Sequence, residues 1–152
     1  MIHHVSIPAE NTRHVVEVLA EVLGGGVVTR FGPYRDSWIA WAADDHGTAI
    51  EVYPVGTEMY PPGTPDEAQF RNDPTASGYT STHAAISVPL TESEIMAIAG
   101  REEWRALRLP RGGFDVLEFW IENRVMIELL TTEMAADYLQ IVPRPHAAGN
   151  GG

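Results

Sequence analysis

The chain has no cysteine among its 152 residues, and its ten basic residues are all arginine. Without cysteine there can be no disulfide, no iron–sulfur cluster and no thiolate nucleophile. Without lysine there can be no Schiff base to a substrate or to pyridoxal phosphate, and no phosphate-loop lysine. Any catalysis must therefore come from His, Asp, Glu, Tyr, Ser, Thr, Arg or a bound metal.

Basic charge is also scarce, because 21 acidic residues against 10 basic ones give a net charge of −11. An acidic chain is a poor partner for nucleic acid or for an anionic membrane surface. Its apolar runs are far shorter than the ~18 residues needed to cross a bilayer, and the N-terminus does not resemble a signal peptide. We therefore expect a cytoplasmic protein with no membrane and no nucleic-acid partner.

Turn residues and apolar periodicity divide the chain into two similar halves. Each half predicts the order β-α-β-β-β, and a last helix follows the second half. The predicted class is α+β, with module one over residues 1–55 and module two over residues 80–142. In module one we expect strands at 2–8, 27–31, 37–42 and 48–53, with a helix from about 12 to 23. In module two we expect strands at 80–88, 104–109, 114–121 and 125–130, with helices near 92–100 and 132–139.

A segment rich in proline and glycine, residues 56–79, joins the two modules. Prolines lack the N–H group that a central strand needs, so we expect this linker to lie outside both sheets and to hold little regular structure. The tail, residues 143–152, is rich in Pro, Gly and Ala, and we expect it not to pack.

A histidine and a glutamate recur at matched positions in the two modules. His4 and His83 lie on the first predicted strand of each module, and Glu51 and Glu128 lie inside an apolar last strand. The two histidines are 79 residues apart and the two glutamates 77. This matched spacing indicates an internal repeat that carries polar chemistry.

Strand alternation places each glutamate on the sheet face opposite its Ile, Val and Leu neighbours. An ionised carboxylate in an apolar strand is costly unless it is paired or bound to a metal. Two imidazoles and two carboxylates suit a divalent ion such as Zn, Ni, Co, Mn or Fe(II). Two simpler interpretations stay open: each glutamate could pair with an arginine, and each histidine could be an ordinary surface residue. Tyr53 and Glu118 are further candidates for the same face.

Five short segments together resemble the vicinal oxygen chelate superfamily, which includes glyoxalase I, extradiol dioxygenases and fosfomycin-resistance enzymes. They are Ile2–Ile7, Val22–Gly24, Ala49–Val52, Thr82–Ile86 and Met126–Leu130. The resemblance implies two βαβββ modules that form a curved mixed sheet around a metal-binding cup. It also implies a homodimer and a metal site of His4, Glu51, His83 and Glu128, closest to the ligands of glyoxalase I.

The function implied by this resemblance is a metal-dependent, glyoxalase-like lyase or isomerase acting on a small oxygen-chelating carbonyl substrate. Glu128 would be the catalytic base by resemblance, with Glu51 as the alternate. Two other functions stay open. One is a different metal enzyme of the superfamily, such as an extradiol dioxygenase or an epimerase. The other is a protein that binds a small molecule without turnover.

Overall fold

Module one forms a four-stranded sheet with a helix packed on one face. A computed structural model describes residues 2–32, 34–61 and 67–141. The sheet order is β1-β4-β3-β2, with β1 parallel to β4 and the other pairs antiparallel. Its elements are β1 (His4–Ala9), α1 (Thr12–Val22), β2 (Val27–Arg30), β3 (Trp38–Trp41) and β4 (Ala49–Pro54). The helix begins where the Asn11 side chain accepts a hydrogen bond from the His14 N–H, as an N-cap residue does.

Module two repeats this architecture, which confirms the predicted α+β fold of two βαβββ units. Its sheet order is β7-β10-β9-β8, again with one parallel pair. A capping box between Thr91 and Glu94 starts its helix, as the sequence predicts. The elements are β7 (Ala85–Ser87), α2 (Glu92–Glu102), β8 (Ala106–Pro110), β9 (Asp115–Ile121) and β10 (Val125–Leu130), followed by α3 (Thr132–Ile141).

The linker contains a β-hairpin, so the expectation of little regular structure there is wrong. Strands β5 (Thr57–Tyr60) and β6 (Gln69–Asn72) pair in an antiparallel two-stranded sheet. The prolines flank these strands instead of interrupting them, so every residue in the two strands keeps its N–H group. The hairpin does lie outside both four-stranded sheets. The predicted behaviour of the tail, residues 143–152, lies outside the described residues.

Strand β7 is much shorter than the predicted strand 80–88, and His83 lies before its first residue. Ala84 still accepts a ladder hydrogen bond from the Glu128 N–H, but the residues before it make local hydrogen bonds. The Thr82 N–H donates to Thr80 Oγ1 at 3.0 Å, and His83 Nδ1 lies 3.1 Å from the Ser81 carbonyl oxygen. Side chains of Ser and Thr that bond to nearby backbone compete with strand pairing in this way.

One apolar core joins the two modules. Buried side chains of α1 and β4 belong to the same cluster as those of α2, β9 and β10. Polar contacts hold the modules together at the edge of this core. The Glu122 carboxylate accepts hydrogen bonds from the N–H groups of Glu10 and Asn11, and Arg101 pairs with Glu21 at 2.7 Å. No helix in the described part of the chain has the length and apolarity to cross a membrane.

Candidate functional site

Each four-stranded sheet has one face that carries the glutamate of the internal repeat, Glu51 in sheet one and Glu128 in sheet two, and we call it the glutamate face. In sheet one, Ser6 is paired with Glu51 across β1 and β4, and His4 precedes Ser6 by two residues. In sheet two, Ala85 is paired with Glu128 across β7 and β10. The offsets between these pairs, 79 and 77 residues, are those of the sequence repeat. The two glutamates therefore occupy the same register position.

The first half-site consists of His4, Ser6, Glu51 and Tyr53. Glu51 is buried, with 6% of its surface exposed. Its Oε2 accepts a hydrogen bond of 2.6 Å from Ser6 Oγ, and its Oε1 lies 3.7 Å from His4 Nε2. His3 points elsewhere, because its Nδ1 lies 2.8 Å from the His46 carbonyl oxygen. His4, not His3, is thus the histidine beside Glu51, as strand alternation predicts.

Tyr53 completes this half-site with a phenol that stays protonated. Its ring is buried, and burial followed by the charge of Glu51 raises the pKa of Tyr53 to about 12. No arginine pairs with Glu51 among the described ion pairs. A buried carboxylate next to a histidine nitrogen and lacking a guanidinium partner is a donor set that a divalent cation fits.

The second half-site consists of Arg111, Glu118, Trp120 and Glu128, and its electrostatic arrangement differs from that of the first. The Arg111 guanidinium lies between two carboxylates: its Nε donates to Glu128 Oε1 at 2.8 Å, and a terminal nitrogen donates to Glu118 Oε1 at 2.6 Å. Trp120 Nε1 donates to Glu118 Oε2 at 3.1 Å. These hydrogen bonds lower the pKa of Glu118, that from Trp120 most, and those to Glu118 and Glu128 raise the pKa of Arg111. Glu128 Oε2 accepts no hydrogen bond from any described residue.

Only two of the four predicted ligands lie beside each other within one chain. Glu51 and His4 are neighbours, whereas Glu128 is engaged by Arg111 and His83 lies outside its strand. Among the described residues of one chain, no three His, Asp or Glu side chains group in a way that would hold a metal ion. The metal role of His4, Glu51, His83 and Glu128 and the catalytic roles of Glu51 and Glu128 therefore remain predictions.

Sequence reasoning missed Arg111 and Ser6. Ser6 could have been found, because it lies two residues after His4 and alternation puts both on one face. Arg111 follows a strand in a Pro-Arg-Gly-Gly turn, a position that reads as ordinary turn chemistry. Only the pairing of Glu118 with Glu128 across β9 and β10 shows that one cation could serve both carboxylates. The placement of Tyr53 beside Glu51 and of Glu118 beside Glu128 agrees with the sequence.

Comparison with solved structures identifies this fold. The trypanothione-dependent glyoxalase I of Leishmania major is similar over 92% of this chain and 92% of its own, with a TM-score of 0.54 and 16% identity. The fosfomycin resistance protein FosX of Listeria monocytogenes is similar over 86% of this chain and 92% of its own, with a TM-score of 0.52 and 12% identity. A second FosX structure from that organism, complexed with Mn(II) and sulfate, has a TM-score of 0.51 at 12% identity and covers 85% of this chain and 86% of its own.

The chain therefore has the fold of glyoxalase I and of the fosfomycin resistance proteins, which confirms the vicinal oxygen chelate resemblance at the level of fold. No model of a known protein family matches the sequence, and no curated protein matches it. At this level of identity the likeness concerns architecture, and the chemistry has to be argued from the half-sites.

Proposed function

We propose that this chain is a metal-dependent, glyoxalase-like lyase or isomerase that acts on a small carbonyl substrate offering one or two oxygens to a divalent ion. The observation that carries the proposal is the pair of Glu51 and His4. Glu51 is a buried carboxylate whose neighbours are a serine hydroxyl and a histidine nitrogen instead of an arginine. Because an uncompensated buried carboxylate is costly, a cation at this position is favoured.

The residues proposed to hold the ion are His4, Glu51, His83 and Glu128, a donor set suited to Zn, Ni, Co, Mn or Fe(II). When bound, the ion would polarise the substrate carbonyl and offset negative charge that develops on its oxygen. Ser6 fixes one oxygen of Glu51 and leaves the other directed toward His4. Glu128 is the proposed base that accepts the substrate proton, and Glu51 is the alternate.

We further infer that the complete site forms between two copies of the chain. One copy has His4 and Glu51 on the glutamate face of sheet one and Glu128 on that of sheet two, with His83 just before β7. These side chains do not group around one point within the described part of a single chain. Large apolar side chains are exposed on those same faces: Val27 at 64% and Trp41 at 38% on sheet one, and Leu107 at 40% on sheet two. A homodimer that joins sheet one of one copy to sheet two of the other would cover them.

A second candidate function is binding of a small molecule without turnover, and Arg111 is the observation that favours it. Its guanidinium already forms ion pairs with both Glu128 and Glu118. A base that is held in an ion pair must be released before it can take a proton, whereas a binding protein needs no such step. The two candidate functions use the same proposed cup. They differ in whether Glu128 leaves its ion pair with Arg111.

Elemental analysis of the purified protein tests the metal first. We expect a stoichiometric divalent ion, and the absence of any bound ion after reconstitution with each of the five metals would contradict the enzyme proposal. Activity is then measured with methylglyoxal and glutathione and with other α-oxo and catechol substrates. Oxygen consumption would identify a dioxygenase, and a metal-loaded protein inactive on every substrate would favour the binding protein.

A further inference from the structure

The linker hairpin has one apolar and one polar face. Cross-strand pairing sets Met59 beside Phe70 on one face and Glu58 beside Arg71 on the other. The polar face is closed by an ion pair of 2.7 Å between Arg71 and Glu58, and by a hydrogen bond of 3.0 Å from the Tyr60 hydroxyl to Gln69. A two-stranded ribbon is barely stable alone, so its apolar face has to rest on another surface.

That surface is the glutamate face of sheet one. The Phe70 ring stacks on the Tyr53 ring, with centroids 5.9 Å apart and planes inclined by 20°. Two further aromatic contacts extend the cluster: Phe31 meets Tyr53 edge-on at 5.9 Å, and Tyr34 meets Phe70 edge-on at 6.3 Å. The hairpin therefore covers part of the first half-site with aromatic surface.

Packing between hairpin and sheet is incomplete and leaves a cavity of about 200 Å³ that is open to solvent on one side, where Met59 is 58% exposed. A cavity of about 150 Å³ with an apolar lining is large enough to bind benzene. The space thus admits a six-membered aromatic ring and a few further atoms. The cavity is lined by Ser6, Ile7, Pro8, Tyr53, Thr57, Met59 and Phe70.

One residue connects this cavity to the proposed metal ligands. Ser6 lines the cavity and donates its hydroxyl hydrogen to Glu51, whose other oxygen faces His4. A molecule with its ring between the apolar face of the hairpin and sheet one would therefore have Ser6 at its polar end, on the side where Glu51 and His4 lie. The arrangement fits a substrate in which an aromatic ring is attached directly to the oxygen-bearing carbons.

We propose that the cavity between the linker hairpin and sheet one is the binding site for the aromatic ring of an aryl-substituted substrate whose vicinal oxygens reach the His4–Glu51 pair. The part of this proposal that concerns the oxygens rests on the proposed metal-dependent function. Recognition of the ring depends on the residues that line the cavity and does not require the metal.

Two hydroxamates test the ring site. Benzohydroxamate and acetohydroxamate both offer two neighbouring oxygens to a metal and differ in a phenyl against a methyl group. Titration calorimetry on the Zn-loaded protein should give benzohydroxamate an affinity at least about tenfold higher, because the phenyl group loses its contact with water in the cavity. Equal affinities would overturn the proposal.

Two hairpin variants test whether the preference for benzohydroxamate over acetohydroxamate comes from the apolar face of the hairpin. Phe70→Leu keeps an apolar side chain but removes the stacked ring, and should reduce the affinity ratio of the two hydroxamates by about threefold to tenfold. Tyr60→Leu changes an aromatic residue on the opposite face of the same hairpin and should leave the ratio unchanged. A ratio that Phe70→Leu does not alter, or that Tyr60→Leu lowers equally, would contradict the assignment.

A metal-free experiment separates failure of the ring site from failure of the metal centre. With methyl-¹³C methionine labelling, Met59 is identified by its loss in Met59→Leu, and benzyl alcohol should shift its methyl signal. If that signal shifts but no metal-loaded protein binds acetohydroxamate, the metal centre is wrong and the ring site stands. If acetohydroxamate binds and the Met59 signal never moves, the ring site is wrong and the metal centre stands.

Discussion

The two modules place a glutamate at the same register position, but they surround it with different side chains. Glu51 faces Ser6 across the parallel strand pair and has His4 at 3.7 Å. Glu128 faces Ala85 across the equivalent pair and is held by Arg111 at 2.8 Å. Backbone pairing thus repeats closely. The carboxylate is hydrogen-bonded by a hydroxyl and lies near an imidazole in one module, whereas it is paired with a guanidinium in the other.

This difference gives the half-sites unequal tasks in the proposed reaction. A carboxylate without a cationic partner attracts a metal ion most strongly, which suits Glu51 to retaining the ion. A carboxylate paired with a guanidinium that also has a second acceptor, Glu118, can be released without leaving the guanidinium unpaired. That suits Glu128 to moving between a bound and a free state.

The largest expected effect tests Glu128 as the base. Glu128→Gln keeps shape and an oxygen donor but cannot accept a proton at neutral pH. Turnover should fall by about 10²–10⁴, the usual contribution of a general base, with somewhat weaker metal binding and little change in unfolding. Steady-state kinetics at saturating metal measures this.

Two further variants separate the loss of a base from the loss of the metal. His83→Ala should remove the metal and the activity together, because it deletes a proposed ligand. Full activity in Glu128→Gln would contradict the assignment and move the role to Glu51, where Glu51→Gln should then show the loss.

A variant of Arg111 tests the difference in charge between the two half-sites more directly. Arg111→Gln removes the cation that competes for Glu128, and should raise affinity for a divalent ion by about tenfold. Arg124→Gln, which breaks an ion pair with Glu10 away from the half-sites, is the matched control and should leave metal affinity unchanged. Competition against a chromogenic chelator measures both. Weaker metal binding in Arg111→Gln would mean that Arg111 supports the site instead of opposing the ion.

Exchanging the residues opposite the glutamates should affect the two modules unequally. Ser6→Ala removes the hydroxyl bonded to buried Glu51 and should lower the free energy of unfolding of metal-free protein by about 1–2 kcal/mol. Ala85→Ser adds a hydroxyl beside Glu128, which is already paired with Arg111, and should change the free energy of unfolding by less than about 0.5 kcal/mol. Urea denaturation measures both, and equal effects would remove the distinction between the half-sites.

The strand and helix order that the two modules share was predictable from the sequence. Most side-chain contacts around the two glutamates were not. Turn residues and the 3.6- and 2-residue periodicities locate both βαβββ units, and alternation together with the repeated spacing selects His4 over His3. The sequence could not show that residues 80–83 make local bonds, so that the ladder between β7 and β10 begins only at Ala84. Nor could it show Arg111 between Glu118 and Glu128, because that contact depends on how a turn folds back over the sheet.

Helix starts give the smallest expected difference. Thr91→Ala breaks the reciprocal bonds with Glu94 and should lower the free energy of unfolding by about 1 kcal/mol. Asn11→Ala breaks a single bond to His14 and should lower it by less.

The cap of α2 should also depend on pH. The hydrogen bond from the Thr91 N–H, and to a smaller extent that from its hydroxyl, holds the pKa of Glu94 below its ordinary value of 4.5. A lowered folded-state pKa means that this contribution is complete above 4.5 and is lost as the pH falls through the lowered value. Urea denaturation of wild type and Glu94→Gln across that range should show the difference vanish in acid, and a difference that persists there would be contrary to it.

The most direct test of the account is whether one site draws its ligands from two copies of the chain. One variant carries His4→Ala and Glu51→Gln, the other His83→Ala and Glu128→Gln, and each alone should bind no ion. A mixed dimer, purified through two different tags after co-expression, should regain one metal ion per two chains, because one intact pair from each copy then meets. A mixed dimer that stays metal-free while the wild type binds metal would contradict a site shared between two copies.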